Sequence, residues 1–235
     1  MKTAIKLILA LITMNIQSQT QASLHYLVRE PKVKTQHPPV VLLLHGVGSN
    51  EKDLFSFANS FPDNFLVLSA RGPLTLDPDR YAWFHVDFGS GKPVINFNEQ
   101  ENSRKLISRF IGEMKTKYDF DDKNVFLFGF SQGGIMSYSV SLTHPGLIKA
   151  IAVMSGRLLP EIKPLVPDTE KLEDLSIFIS HGTEDNVLGI DYAREAKSWL
   201  ESKHLTPNYH EYTAAHKIIP QMLKDMLEWL TKTSH

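Results

Sequence analysis

The chain contains 235 residues, of which 42% are hydrophobic and 22% are charged, and this length and composition favour one large α/β domain over two small globular ones. The formal net charge of −1, without any basic run, excludes a broad electrostatic attraction to nucleic acid. The absence of cysteine excludes disulfides, a lipid-modified cysteine anchor, thiol catalysis and thiolate metal sites.

The first 22 residues predict a secretory signal peptide. A positively charged start precedes the apolar segment 7–12, which is too short to span a bilayer, and a pair of small residues fits a cleavage site just before Ser23. An N-terminal amphipathic helix is the alternative, but residues 13–20 offer no continuing apolar face. We therefore expect an exported protein, periplasmic or extracellular, with no stable membrane anchor and one domain over residues 23–235.

Continuous apolar runs, rather than alternating ones, recur along the rest of the chain, as in strands that are buried on both faces of a parallel sheet. After a short first strand at 24–29, they lie at 40–44, 65–68, 125–128, 151–154 and 177–179. Apolar residues at helical spacing predict helices over 54–61, 107–114 and 219–230. This alternation indicates βαβ units, and hence a doubly wound, mostly parallel sheet with helices on both faces.

Residues 71–98 depart from this pattern, because they are rich in Gly and Pro and carry several aromatic residues. Long irregular segments in compact domains are usually functional or mobile. The segment follows the third strand, which places it at the carboxyl ends of the sheet, where open α/β folds bind ligands. We interpret it as a substrate wall containing Trp83 and Phe84; the alternative is that these two side chains only anchor the loop to the core.

A Gly-x-Ser-x-Gly motif follows the strand at 125–128 and leads directly into a helical pattern, which is the context of a nucleophile elbow. We expect Gly129 and Gly133 to lie where backbone segments crowd, and the sharp turn to lift the Ser131 hydroxyl clear of the sheet. Free N–H groups at the start of the helix then face whatever Ser131 attacks. A glycine-rich turn with an idle serine is the alternative, which the partners below disfavour.

A serine nucleophile needs a base and an orienting carboxylate, which follow it in this order along a hydrolase sheet: Asp or Glu, then His. The loop after the strand at 177–179 carries Asp185, our choice, and Glu184, its close competitor; either carboxylate is also a candidate cap for the next helix. His216 follows the predicted last strand at 208–212 and precedes the final helix. It is therefore the predicted base.

Attack on a carbonyl carbon builds negative charge on its oxygen, which preplaced N–H donors stabilise. The predicted donors are the backbone N–H groups of Gln132, directly after the nucleophile, and Val47, in the glycine-containing loop 45–50. An ordinary strand–helix connection is the alternative for that loop. Zinc is disfavoured, because the histidine of the loop 181–187 has no second histidine at helical spacing.

Several blocks of the chain together resemble the phospholipase/carboxylesterase family, which includes acyl-protein thioesterases and bacterial carboxylesterases. These blocks are Leu44-His45-Gly46-Val47-Gly48, Gly129-Phe130-Ser131-Gln132-Gly133-Gly134, Met154-Ser155-Gly156, His181-Gly182-Thr183-Glu184-Asp185 and Ala215-His216. The resemblance implies an α/β-hydrolase fold without a large cap domain and a cofactor-free hydrolase of carboxylic esters or thioesters. It also implies a Ser131, Asp185, His216 triad, an oxyanion hole from the amides of Val47 and Gln132, and an aromatic pair, Trp83 and Phe84, on the substrate side.

Two features differ from the family pattern. Ala215 stands where glycine commonly precedes the histidine, and the signal peptide is unlike the cytosolic thioesterases. We therefore expect a secreted serine carboxylesterase for short- to medium-chain esters, with thioesters and lysophospholipids as further candidate substrates. A dienelactone-hydrolase-like enzyme, a peptidase and a non-catalytic binding protein with the same fold are the alternatives.

Overall fold

The structure is a computed structural model that describes residues 22–87, 89 and 93–234. The predicted signal peptide, apart from Ala22, lies outside the described residues. The strands are β1 (Tyr26–Arg29), β2 (Val40–Leu44), β3 (Leu66–Ala70), β4 (Leu74–Asp77), β5 (Arg80–Ala82), β6 (Val86–Asp87), β7 (Val94–Ile95), β8 (Val125–Phe130), β9 (Ala150–Met154), β10 (Ser176–Gly182) and β11 (Asn208–Tyr212). The helices are α1 (Glu51–Phe55), α2 (Phe97–Tyr118), α3 (Gln132–Thr143), α4 (Asp191–Ser202) and α5 (Pro220–Thr233), with 3₁₀ turns at Ala58–Ser60, Pro160–Leu165 and Thr169–Leu172.

Seven strands form the central sheet in the order β1-β3-β2-β8-β9-β10-β11. Only β1 runs antiparallel to its neighbour in this sheet, and all other neighbouring strands are parallel. Every residue of β2, β3 and β9 is buried, which is the physical origin of the continuous apolar runs in the sequence. The predicted parallel sheet is therefore confirmed.

Helices cover both faces of the sheet, and the side chains of each strand alternate between two hydrophobic cores. Leu42 and Leu127 pack with apolar residues of α2, α3 and α4 on one face. Leu43 and Phe128 pack with apolar residues of α1 and α5 on the other. Because the central strands are parallel, their carboxyl ends lie at one edge of the sheet. The loops after β2, β8, β10 and β11 consequently meet there.

Two local predictions are wrong in detail. The predicted helix over 54–61 is instead the short α1, capped by Asn50, followed by a 3₁₀ turn. The Ser56 hydroxyl donates to the Asp53 carbonyl, a local hydrogen bond typical of positions where a helix ends. The segment 71–98, predicted to be irregular, contains two small antiparallel sheets, β4-β5 and β6-β7. Across the described ranges, no helix combines the length and the apolar character needed to cross a membrane.

Candidate active site

Ser131 lies in a tight turn between β8 and α3 that only glycine neighbours permit. Its backbone has φ 53 and ψ −116, the left-handed half of conformational space that L-residues rarely adopt. A Cβ atom on Gly129 would lie 2.3 Å from the Gly133 carbonyl oxygen, and one on Gly133 would lie 1.8 Å from the Leu44 carbonyl oxygen. The crowding predicted at both glycines is therefore present, and α3 begins directly against the end of β2.

Three loops bring Ser131, His216 and Asp185 into one hydrogen-bonded chain. His216 Nε2 lies 2.9 Å from Ser131 Oγ, and His216 Nδ1 lies 2.6 Å from Asp185 Oδ2. The side chain of Asp185 is fully buried, whereas that of His216 is 15% exposed. The imidazole therefore faces the serine on the solvent side and the carboxylate on the protein side.

Backbone amides fix the second oxygen of the Asp185 carboxylate. Its Oδ1 accepts hydrogen bonds from the N–H groups of Val187 and Leu188, at 2.9 and 2.8 Å. Asp185 therefore orders its own loop rather than capping α4, which begins at Asp191. Glu184, the competing carboxylate in the sequence, is exposed to solvent.

His181 is a buried residue next to this carboxylate that the sequence did not assign to the site. Its Nε2 lies 2.6 Å from the Leu188 carbonyl oxygen and 3.3 Å from Asp185 Oδ2. Burial lowers the pKa of His181, so the ring is neutral and donates its single proton to the carbonyl. Among the described residues, no three His, Cys, Asp or Glu side chains are arranged so that they could hold a metal ion.

The loop after β2 lies directly against the nucleophile. A Cβ atom on Gly46 would be 3.3 Å from Ser131 Cβ. In this loop, Gly48 N–H donates to the Tyr81 carbonyl, whereas no backbone carbonyl of the described residues accepts from Val47 N–H. Gln132 is the first residue of α3, so its N–H has no helical acceptor either. Among the described residues, neither of these two N–H groups donates to a backbone carbonyl, and both residues line the cavity beside Ser131.

His45 connects the loop after β2 to the segment 71–98. Its Nδ1 lies 2.7 Å from the Gly46 carbonyl oxygen, and its Nε2 accepts the Gly72 N–H at 2.9 Å. This pairing requires a neutral ring with the proton on Nδ1. Burial lowers the pKa of His45, which keeps the ring in that form.

Trp83 and Phe84, the predicted substrate pair, take different positions. Trp83 is fully buried, and its indole N–H donates to the His45 carbonyl at 3.0 Å. The side-chain amide of Gln132 binds both residues, accepting from Trp83 N–H at 2.8 Å and donating to the Phe84 carbonyl at 2.7 Å. Phe84 lines the cavity beside Ser131, whereas Trp83 does not. Trp83 thus ties the segment 71–98 to the loop after β2, as the alternative of an anchoring role expects, and substrate contact of the pair stays a prediction.

A small, mainly apolar cavity of about 40 Å³ opens beside Ser131. Its lining consists of Val47, Phe84, Val86, Pro93, Ile95, Ser131, Gln132, Ile135, Arg157, Val187 and Leu188. A depression of about 670 Å³ elsewhere includes Ser176 and Asn208, the first residues of β10 and β11, in its lining. It therefore lies at the amino ends of these strands, away from the serine, and the smaller cavity is the candidate substrate site.

The strand order, the elbow and the serine–histidine–carboxylate chain define an α/β hydrolase. The Phospholipase/Carboxylesterase family profile matches residues 25–234. The chain therefore belongs to the phospholipase/carboxylesterase family, and it is a serine hydrolase of carboxylic esters.

Individual relatives agree with this assignment. Acyl-protein thioesterase 1 of Kluyveromyces lactis is 27% identical over 213 residues, which is 82% of this chain and 91% of the relative. Esterase YpfH of Escherichia coli is 27% identical over 185 residues, covering 76% of this chain and 74% of that protein. The crystal structure of the Bacillus cereus carboxylesterase superposes with a TM-score of 0.78 at 24% identity, over 89% of this chain and 94% of the other. The α/β-hydrolase fold is thereby confirmed.

Proposed function

We propose that the protein is a carboxylesterase for short-chain esters in which Ser131, His216 and Asp185 form the catalytic triad. The observation that carries this proposal is the unbroken hydrogen-bond chain, 2.9 Å from hydroxyl to imidazole and 2.6 Å from imidazole to carboxylate. A serine hydroxyl becomes an effective nucleophile only when a base removes its proton during attack, and this chain supplies that base.

The reaction proceeds in two acyl-transfer steps. Ser131 Oγ attacks the ester carbonyl carbon while His216 Nε2 takes its proton, and Asp185 holds the imidazole tautomer and stabilises the imidazolium. The backbone N–H groups of Val47 and Gln132 bind the oxyanion. His216 then donates this proton to the departing alcohol, and the acyl group remains bound to Ser131 as an ester. Water attacks this acyl-enzyme by the same route and releases the acid.

The acyl group is short, because the cavity beside Ser131 is small. A cavity of about 10–15 Å³ holds one water molecule, so one of about 40 Å³ accommodates only a few heavy atoms. The lining contains both oxyanion residues but not His216. Since His216 protonates the leaving alcohol, the alcohol lies on the histidine side and the cavity receives the acyl side. Acetyl and propionyl esters fit this volume better than medium-chain esters.

Replacing the nucleophile tests the mechanism. We expect Ser131→Ala to lower kcat/KM for p-nitrophenyl acetate by about 10⁴-fold or more, and to abolish labelling by a fluorophosphonate probe. Ser108→Ala is the matched control and should keep full activity. It also removes a serine hydroxyl, one that lies on α2 and donates to the Arg104 carbonyl within that helix. Turnover by Ser131→Ala at the wild-type rate would remove the serine mechanism.

We also propose export with cleavage before Ser23. In support, the Ser23 backbone nitrogen lies 2.7 Å from a carboxylate oxygen of Glu113 on α2. Cleavage would turn this N–H into a charged ammonium group and the contact into an ion pair. N-terminal sequencing of the protein recovered from the exported fraction should begin at Ser23, whereas a protein that keeps Met1 and stays inside the cell would contradict export.

A further inference from the structure

One charged side chain lines the otherwise apolar cavity beside Ser131. Arg157 follows β9 and is only 9% exposed. Burying a cation costs free energy unless a counter-charge compensates it, so buried arginines are normally paired. Arg71 pairs with Glu51 and Arg104 with Glu101 in this way. Arg29, which is also partly buried, donates instead to two backbone carbonyls.

Arg157 has no such partner among the described residues. Its Nη2 donates to the Pro93 carbonyl at 3.2 Å, and its guanidinium lies 5.4 Å from the centre of the Tyr192 ring. Neither contact supplies a negative charge. The residues outside the described ranges contain neither Asp nor Glu. The positive charge is therefore held in position at the cavity without a side-chain carboxylate to neutralise it.

From this arrangement we infer that Arg157 selects esters whose acyl group carries its own carboxylate, namely hemiesters of short dicarboxylic acids. This inference rests on the proposed function, because it assigns the acyl group of the ester that Ser131 attacks. A guanidinium presents five N–H donors in a planar fork that matches a carboxylate. One of them is used by Pro93, which leaves donors for a substrate anion.

The position of the cavity sets the length of this acyl group. Ser131, both proposed oxyanion residues and Arg157 line the same small cavity. With the ester carbonyl at the oxyanion donors, a spacer of one or two methylene groups, as in malonyl and succinyl esters, keeps the second carboxylate at this small cavity, where Arg157 is a lining residue. The remaining side chains of the lining are apolar or, as with the Gln132 amide, already hydrogen-bonded, so no other group of the described lining competes for the carboxylate.

A pair of substrates with equal shape and different charge tests the inference. Ethyl hydrogen succinate carries the carboxylate, and ethyl succinamate replaces it by a neutral amide of nearly the same size. Alkyl esters are used because activated aryl hemiesters of succinate hydrolyse spontaneously through attack by their own carboxylate. We expect kcat/KM of the wild-type protein to favour the anionic ester by about 10- to 150-fold, the range of a hydrogen bond between charged groups.

Variants then assign the preference to the side chain. Arg157→Met should bring the anionic-to-neutral ratio of kcat/KM close to one, and Arg157→Gln, which keeps hydrogen-bond donors without the charge, should do the same. Arg109→Met is the matched control, because Arg109 is exposed on α2 and pairs with Glu113 within that helix. It should retain the wild-type ratio.

The outcomes separate this inference from the proposed function. A wild-type protein that hydrolyses both esters without preference, or an Arg157→Met variant that keeps the preference, overturns the role of Arg157 and leaves the esterase proposal standing. Turnover that is unaffected by Ser131→Ala overturns the esterase mechanism itself. If neither Arg157 variant folds, the wild-type ratio alone decides, because a ratio near one contradicts the inference without any variant.

Discussion

A single methyl group added at Gly133 should disable the site while leaving all three triad side chains in the sequence. The Cβ atom of Gly133→Ala would lie 1.8 Å from the Leu44 carbonyl oxygen and 2.4 Å from its carbonyl carbon. Both neighbours are backbone atoms of a central strand, so no side-chain rotation relieves the clash. To reach even 3.0 Å, α3 and β2 must separate by about 1.2 Å.

This displacement sets the size of the expected effects. When α3 shifts, Ser131 moves with it, away from His216 and from the loop after β2. A displacement of about 1 Å in a catalytic group lowers the rate by about 100-fold. Overpacking of a tight core contact costs about 1–3 kcal/mol in the free energy of unfolding. We therefore expect kcat/KM for p-nitrophenyl acetate to fall at least 100-fold, and the urea midpoint to fall with it.

The matched control is Gly112→Ala on α2. A Cβ atom there would meet no other atom within 4 Å. Because alanine favours the helix over glycine, this variant should gain about 0.5–1 kcal/mol of stability and keep wild-type activity. A Gly133→Ala protein with wild-type kcat/KM and an unchanged urea midpoint would refute the steric account of the elbow.

Two further predictions concern Asp185 and the buried histidines. Asp185→Asn should lower kcat on the order of 10⁴-fold, because an amide no longer holds His216 in the required tautomer. The control is Glu184→Gln at an exposed neighbouring position, which should retain activity. If instead Glu184→Gln loses activity and Asp185→Asn keeps it, Glu184 is the carboxylate of the triad. Burial lowers the folded-state pKa of His45 and of His181, whereas in the unfolded chain both histidines take up protons near their ordinary pKa. Their contribution to the free energy of unfolding should therefore be constant above about pH 6.5 and should decline below it. Each histidine contributes a slope of up to about 1.4 kcal/mol per pH unit. Urea titrations at pH 7.5, 6 and 5 measure this slope. A free energy of unfolding that rises as the pH falls from 7.5 to 5 would contradict the assignment.

The three residues of the proposed triad could be selected from the sequence because each of them follows a strand. Periodicity located the strands, parallel pairing placed their carboxyl ends at one edge, and the required chain order left few residues for each role. Ser131 and His216 could be chosen in this way. The choice between Asp185 and Glu184 could not, since only the loop geometry shows that Asp185 faces the imidazole while Glu184 faces solvent.

Features that depend on long-range contacts could not be predicted from the chain pattern. Gln132 was assigned through its backbone alone, yet its side chain binds the segment around Trp83, about fifty positions earlier in the sequence. The role of His45 depends on an amide at Gly72, and the role proposed for Arg157 depends on the lack of a carboxylate beside it among the described residues. Spacing rules carry no information about such pairings, because they arise only when the sheet brings distant loops together.

The two hydrogen bonds of the Gln132 side chain couple binding of the acyl group to the stabilisation of the transition state. The backbone N–H of Gln132 is a proposed oxyanion donor. Its side chain donates a hydrogen bond to the backbone carbonyl of Phe84, a residue that lines the cavity. An acyl chain that displaces Phe84 therefore also displaces Gln132, whose N–H is proposed to bind the oxyanion. Selection against oversized substrates should consequently show as slower turnover at saturation, and not merely as weaker affinity.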